Sequence, residues 1–440
     1  MTIPWAVTQF VRRRGITIAV LMILAIYGIE AHARRRLMAT PASLGDQGAY
    51  LADAQQMYER GYAFVGQRNR MPVFPFLLSR IYQPELSETQ FLRRAQAFNV
   101  NLSIALLLLL FLIFRRFFPA LHAVALLAAA ACVFLYRAVN AQTEVLFYFV
   151  SFCAFILLLR VVIAPRWWLA ALSGATVGVA HLTKASVLPA LGLWVAVFVA
   201  QILWDFRARC DRGPRNAWRR LGMLMLVIAT FIAVVFPYIR TSKRIYGQYF
   251  YNVNSNFVMW CDSWTEGMEF LTSYGDKAKW RSLPSDQIPS PAKYWREHST
   301  AQIAHRVTHG LRRLATQNAM AIGYYKFVVA FVLASGVLWI RQSQRTRQLL
   351  AEKPFAATFC VLFFFAYLLL YAWYDAIVND TRFILSIFLP FIFAASIFVL
   401  KMGKDRVVAI AGRRLPFAQF FAGLLICLSL IDVLYNASRF

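Results

Sequence analysis

The sequence predicts an all-α integral membrane protein: about eleven transmembrane helices, with interfacial helices in two extracytoplasmic loops. Three observations predict this. Of 440 residues, 60% are hydrophobic and only 15% charged, too few polar side chains to clothe a water-soluble surface. Apolar runs recur along the chain, each long enough to cross about 30 Å of hydrocarbon as a helix. Backbone amides and carbonyls find no water inside lipid, so each crossing segment must pair them within a helix.

Taken in order, the runs lie at 15–31, 98–114, 120–136, 145–164, 167–183, 186–204, 221–238, 321–340, 355–374, 383–400 and 416–434. The first follows Arg12, Arg13 and Arg14 and ends near Ala31-His32-Ala33, a pattern shared with signal peptides; it is read as a retained helix. Residues 1–440 then form one membrane domain with two long outer loops, 32–97 and 239–320. In the first loop, Tyr50, Ala54 and Met57 recur at i, i+4 and i+7 with Leu51 and Tyr58 beside them, an amphipathic helix over 47–60. Asp46 stands where a cap would start it and Gly61 where it would end. Pro72 and Pro75 break regular structure ahead of 76–82, and a second short helix is expected over 88–97. The large loop opens with an aromatic, Asn-rich stretch over 246–264, becomes irregular around Pro284, Pro289 and Pro291, and regains helical spacing at Ile303, Val307, Leu311 and Leu314.

A net charge of +27 invites a nucleic-acid reading, but the cations are sorted by side. The short connections on one side hold 22 Lys and Arg; those on the other, with the C-terminal tail, hold Arg137, Lys184, Arg382 and Arg439. The positive-inside rule then puts the N-terminus in the cytoplasm and both long loops outside. Of the 20 Asp and Glu, only Asp205, Asp211, Glu352 and Asp405 fall on the cytoplasmic side, so the polar groups available for chemistry are outside. Cys132, Cys153, Cys360 and Cys427 lie within spans, Cys210 is cytoplasmic and Cys261 stands alone outside, so neither a disulfide framework nor a Cys-x-x-Cys metal site is expected.

Asp46 sits in an outer loop close to a span end, where a carboxylate can take a proton from an attacking hydroxyl; as a helix N-cap it would contribute about 1 kcal/mol. Asp53, further along the same helix, reads as a solvated residue. Arg70, with Arg68 nearby, can hold a phosphate through paired guanidinium hydrogen bonds or snorkel to lipid headgroups. Glu144, Lys184 and Arg382 lie at span ends on the outer side; an ionised group near the membrane core costs roughly 2.5–3.5 kcal/mol, so each needs a partner or a wet cavity. They could ring the same cavity as Asp46 or anchor helix ends separately. Asp46 and Glu144 could share a divalent ion if the fold joins them. His305 and His309 have i, i+4 spacing without a His-Glu-x-x-His pattern. Arg34, Arg35 and Arg36 are placed on anionic headgroups.

At these residues the chain resembles the GT-C superfamily of membrane glycosyltransferases, in the branch of protein O-mannosyltransferases and the lipid A aminoarabinose transferase. Asp46-x-x-x-Tyr50-x-x-x-Ala54 is similar to its acidic first-loop motif, and Arg70-Met71-Pro72-Val73-Phe74-Pro75 to its basic-x-Pro-x-aromatic-Pro segment. Thr143-Glu144-Val145-Leu146-Phe147 resembles its second acidic turn, and the run from Gly178 to Thr183-Lys184 its Gly-rich span ending in Thr-Arg or Thr-Lys. Pro237-Tyr238-Ile239-Arg240 followed by Tyr246-Gly247, and Thr381-Arg382-Phe383, resemble two later motifs. The chain departs at Gln47, where many relatives carry a second acid, at Met71, and after Arg240, where no Asn follows. The resemblance implies a polyprenyl-phosphate sugar donor, an inverting single displacement, Asp46 as base, Arg70 on the donor phosphate, and Glu144, Lys184 and Arg382 supporting the site, in a cell (inner) membrane. The acceptor would be a hydroxyl of a glycan, lipid or protein. Two other classes compete: a transporter or flippase, disfavoured because the ionisable residues sit at span ends rather than midplane, and a surface-polysaccharide polymerase or ligase.

Overall fold

The computed structural model of the protein describes residues 5–37, 41–42, 45–62, 68, 70–207, 213–275, 277–318, 324–410 and 412–437. Arg209, Cys210, Asp211, Arg212 and the start of the 321–340 run lie outside them, as do the side chains of Arg12 and Arg13. The first long helix, α1 (Trp5–Leu37), leads into a turn and the amphipathic α2 (Gln47–Glu59), which buries Tyr50, Leu51, Ala54 and Met57 as its spacing requires. Gly61 follows with φ 58°, and the amide of Tyr62 bonds back to the Met57 carbonyl, closing the helix as a left-handed glycine does. Short α3 (Val73–Ser79) starts after Pro72. Next comes α4 (Glu88–Phe117), started by a Ser87–Gln90 capping box. The short helix expected over 88–97 is therefore the first part of this 30-residue helix, since nothing between 88 and 117 breaks it.

Helices α5 (Ala120–Ala138), α6 (Glu144–Ile163), α7 (Trp167–Thr183), α8 (Leu188–Arg207) and α9 (Gly213–Tyr246) follow in turn. α9 runs through Pro237 to Tyr246, so the large loop begins later than position 239. That loop holds α10 (Val253–Asn256), α11 (Trp264–Ser273), α12 (Pro291–Glu297) and α13 (Thr300–Arg313). The chain ends with α14 (Tyr325–Arg341), α15 (Ser343–Glu352), α16 (Pro354–Tyr374), α17 (Arg382–Leu385), α18 (Phe388–Met402), a hairpin of β1 (Val407–Ile410) and β2 (Arg413–Pro416), and α19 (Phe417–Ala437). The hairpin departs from the all-α expectation. β-branched Val407, Val408 and Ile410 favour a strand, and Gly412 takes φ 77° at the turn.

Among the described residues, eight helices are long and apolar enough to cross a membrane, within α1, α4, α5, α6, α8, α9, α16 and α19. A ninth results if α14 and α15, bent by 104°, count as one span. The chain is thus a multi-pass helical membrane protein. Helices also occupy the expected spans 167–183 and 383–400, but α7 has 17 residues and α18 has 15, roughly 25 Å and 22 Å at 1.5 Å per residue.

Ala-rich α5 is buried on nearly all sides, as a helix apolar all round must be, whereas α1 turns Ile18, Leu21, Met22 and Ile29 outward. α7 lies close on α9 because Gly174 and Gly178 carry no side chain. A Cβ at Gly174 would meet Thr230 Oγ1 and the Val227 carbonyl oxygen at 2.1 Å, and one at Gly178 would meet Val234 at 2.8 Å. The large loop has a small core of its own, with Tyr251, Phe257, Phe270 and Trp280 at its centre. Arg306 fastens it to α16 by donating to the carbonyls of Cys261 (2.9 Å) and Trp373 (3.1 Å). Arg34 is buried and paired with Glu30 at 2.9 Å, which corrects its expected place among headgroups.

Candidate active site

The turn that carries Asp46 is pressed onto the turn that carries Glu144. Gly45 takes φ 64°, and a Cβ there would meet Gln142 Nε2 at 2.9 Å. Fully buried Gln47 accepts hydrogen bonds through its Oε1 from the Ala141 amide (2.9 Å) and from Gln96 Nε2 (3.1 Å). Gln47 is therefore the bolt between the first loop and the start of α6.

Asp46 precedes α2, yet its side chain does not cap the helix. One carboxylate oxygen takes a hydrogen bond from Arg70 and the other from Arg382 Nη1 at 2.6 Å. Glu144, 1% exposed in the first turn of α6, receives Lys184 Nζ on Oε1 at 3.2 Å, with Arg382 Nη1 at 3.8 Å from the same oxygen. Lys184 sits where α7 ends, its amide bonded to the Ala180 carbonyl. Arg382 is fixed by a ring of its own: Tyr148 donates to its carbonyl at 2.7 Å, Asp380 accepts its amide at 2.9 Å, and Arg137 holds Asp380 at 2.7 Å. Three cations thus face two carboxylates, leaving one positive charge in excess before Arg137 and Asp380 cancel each other.

The electrostatics follow from this packing. Burial alone would raise the Asp46 carboxyl, but Arg70, Arg382 and Lys184 outweigh it and hold the pKa below its ordinary value. Burial works against the Arg382 charge, and Glu144, Asp46 and Asp380 more than offset it, so its pKa is raised. The cluster lies on a cavity of about 720 Å³. Phe250, Tyr251 and Trp264 of the large loop, Tyr374 at the end of α16, and apolar Leu188, Pro189 and Leu370 also line it. A pocket of this size, mostly apolar with a few convergent charges, suits an amphipathic anion.

Of the residues expected from sequence, Asp46, Tyr50, Arg70, Glu144, Lys184 and Arg382 line this one cavity. Tyr50 lies under Arg70, whose guanidinium carbon is 5.8 Å from the ring centroid. Arg68, Asp53 and Arg240 do not line it. Arg68 is a tie-rod: at φ 62° and fully buried, it donates to Ser242 Oγ and to the Tyr238 carbonyl, each at 2.9 Å, and stacks 3.6 Å over the Tyr238 ring. That anchors the segment before Arg70 on α9. Arg240 is exposed on α9. Asp53 is half-buried on α2, and burial pushes its carboxyl up to about 6 against the pull of Arg70 and Lys277. His305 and His309 stack at 5.8 Å on the wall of a separate cavity of about 320 Å³. Asp46 and Glu144 do come together, but Arg382 stands between them. Among the described residues, no three His, Cys, Asp or Glu are grouped to hold a metal ion. Sequence reasoning assigned no role to Arg137, Asp380, Gln47 or His181. A signal existed for Arg137, one of the few cations in the cation-poor connections.

Fold and site together define a multi-pass helical membrane protein with a charged, anion-compatible cavity at one end of its helices. Comparison of the chain with protein-family models, with curated proteins and with solved structures finds no match in any of the three.

Proposed function

We propose that the protein transfers a sugar from a polyprenyl-phosphate donor to a hydroxyl acceptor, by a single inverting displacement with Asp46 as general base. One observation carries the reading: both oxygens of Asp46 are held by arginines suited to phosphate, on the wall of a large cavity with excess positive charge. A donor phosphate competes for Arg70 and Arg382, with Lys184 adding charge from the Glu144 side. As the guanidiniums turn to the phosphate, Asp46 is released and becomes a stronger base. The acceptor oxygen attacks the anomeric carbon opposite the phosphate and its proton passes to Asp46. The bond from anomeric carbon to phosphate oxygen breaks, and its electron pair leaves on the polyprenyl phosphate, whose charge the cations stabilise. Glu144 keeps Lys184 and Arg382 aligned within the catalytic cluster. Apolar Leu188, Pro189 and Leu370 suit the prenyl chain.

The motif order resembling the GT-C superfamily supports this reading, with a GT-C-like architecture of eleven spans that counts α7, α14 and α18 as membrane helices, and interfacial helices in the outer loops. The cation asymmetry supports a cell (inner) membrane protein with a cytoplasmic N-terminus and the site on the extracytoplasmic side. The test compares surface and lipid-linked glycans in cells carrying wild type, Asp46→Asn or Arg70→Ala at equal protein level. Loss of one glycan modification with accumulation of its lipid-linked donor is expected in both variants. Unchanged glycans in Asp46→Asn overturn the proposal.

A further inference from the structure

The cavity wall next to Lys184 carries polar atoms that the ion-pair cluster leaves unused. His181 is 4% exposed, one helical turn before Lys184 on α7, and lines the cavity. Its Nδ1 has no hydrogen-bond partner among the described residues. Ser186, two residues after Lys184, also lines the cavity, and its buried Oγ is likewise unpartnered among them. Native interiors satisfy such groups, and a pair left open on one cavity wall marks a place where a ligand supplies the partner. The rings of Phe231 and Phe250 flank the His181 ring at 6.1 and 5.7 Å, inclined by about 60°. A neutral imidazole carries one donor and one acceptor nitrogen. A serine hydroxyl has the same dual character. A sugar hydroxyl both donates and accepts, and so satisfies either group.

Position favours the sugar of the donor over the acceptor. His181 precedes Lys184 by three residues and Ser186 follows it by two, all on the same cavity wall, and a single oxygen links a sugar ring to its phosphate. A phosphate held at Lys184 and Arg382 therefore sets the ring beside His181 and Ser186. Both atoms are buried behind the cavity surface, so each side chain turns outward to meet the ring's hydroxyls. We propose that His181 and Ser186 form the subsite for the hydroxyls of the transferred sugar, with Phe250 of the large loop as its apolar wall. The inference rests on the glycosyl-transfer reading, and it makes these residues the ones that set which sugar is used.

The test is binding to purified protein in nanodiscs of polyprenyl phosphate alone and of polyprenyl phosphates bearing glucose, mannose, galactose or arabinose. Wild type is expected to prefer one sugar-bearing lipid over the bare phosphate by about tenfold or more, since a site built to pair hydroxyls rejects a ligand lacking them. His181→Leu and Ser186→Ala each reduce that preference by about fivefold or more while affinity for the bare phosphate changes less than about twofold, and His181→Asn restores part of it. A merely structural role would weaken both lipids together. An unchanged preference in His181→Leu overturns the subsite and leaves the glycosyl-transfer reading standing. A wild type that does not discriminate among these lipids also overturns the subsite, and one that binds no lipid phosphate overturns both. Should His181→Leu fail to fold, Ser186→Ala and Phe250→Leu decide: an unchanged preference in both overturns the subsite.

Discussion

Replacing Asp46 with Asn should separate binding from turnover, with opposite signs. The amide keeps the shape of the carboxylate and removes its charge. Loss of a positioned base lowers kcat by about 10²–10⁴-fold. In wild type, however, the donor phosphate must draw Arg70 and Arg382 away from Asp46. Those pairs are part-buried, with Arg70, Asp46 and Arg382 side chains 18%, 24% and 14% exposed, so the competition is above the 0–1 kcal/mol of a surface pair. At about 1–2 kcal/mol, its removal tightens donor binding by roughly 5–30-fold. The fold should survive, because Arg382 keeps Asp380 at 3.3 Å and Glu144 at 3.8 Å. The assay pairs initial rates, using a labelled polyprenyl-phosphate sugar, with equilibrium binding of polyprenyl phosphate in the same nanodiscs. Turnover within threefold of wild type, or donor binding that weakens in step with turnover, would refute the reasoning.

Three further outcomes follow from the packing. Asp53→Asn should stabilise the protein above pH 6 relative to pH 4: a carboxyl raised from 3.8 to about 6 loses native-state stability as pH rises through that window, about 1–3 kcal/mol in full, read as a pH-dependent difference in melting temperature between variant and wild type. Gly174→Leu should disrupt the α7–α9 seam, since even a Cβ meets the Val227 carbonyl oxygen at 2.1 Å; detergent-solubilised protein should melt several degrees lower or aggregate. Arg68→Ala should cost about 2–5 kcal/mol by removing two buried guanidinium hydrogen bonds and the stack on Tyr238 and leaving a void, measured as faster tryptic cleavage within 239–320 than in wild type.

The membrane class and the place of each long helix were legible in the sequence because apolar run length and helical periodicity are local properties that neighbouring residues set. The charge sorting was legible for the same reason, and it already isolated Arg137, Lys184 and Arg382, which the structure brings to one site. Span count was less secure: α7 fills its expected 167–183 with only 17 residues, and α18 starts at Phe388 after a break from α17, which hydropathy alone does not show. Asp46 as a side-chain N-cap failed because two arginines compete for its oxygens more strongly than the backbone amides do.

What tertiary structure alone decided is which charges meet. Arg382 reaches Asp46 across 336 positions of sequence, and no local pattern encodes a pairing of that separation. Arg68 and Arg70 are the same residue type two positions apart, yet one is spent on the Tyr238 carbonyl and the other on Asp46, with Arg68 in a left-handed backbone turn. Gln47 reads as a missing acid in the sequence and is a buried bolt in the fold. Hydrophobic length is a property of a segment, whereas a charged site in a low-dielectric interior depends on every side chain the fold brings to it.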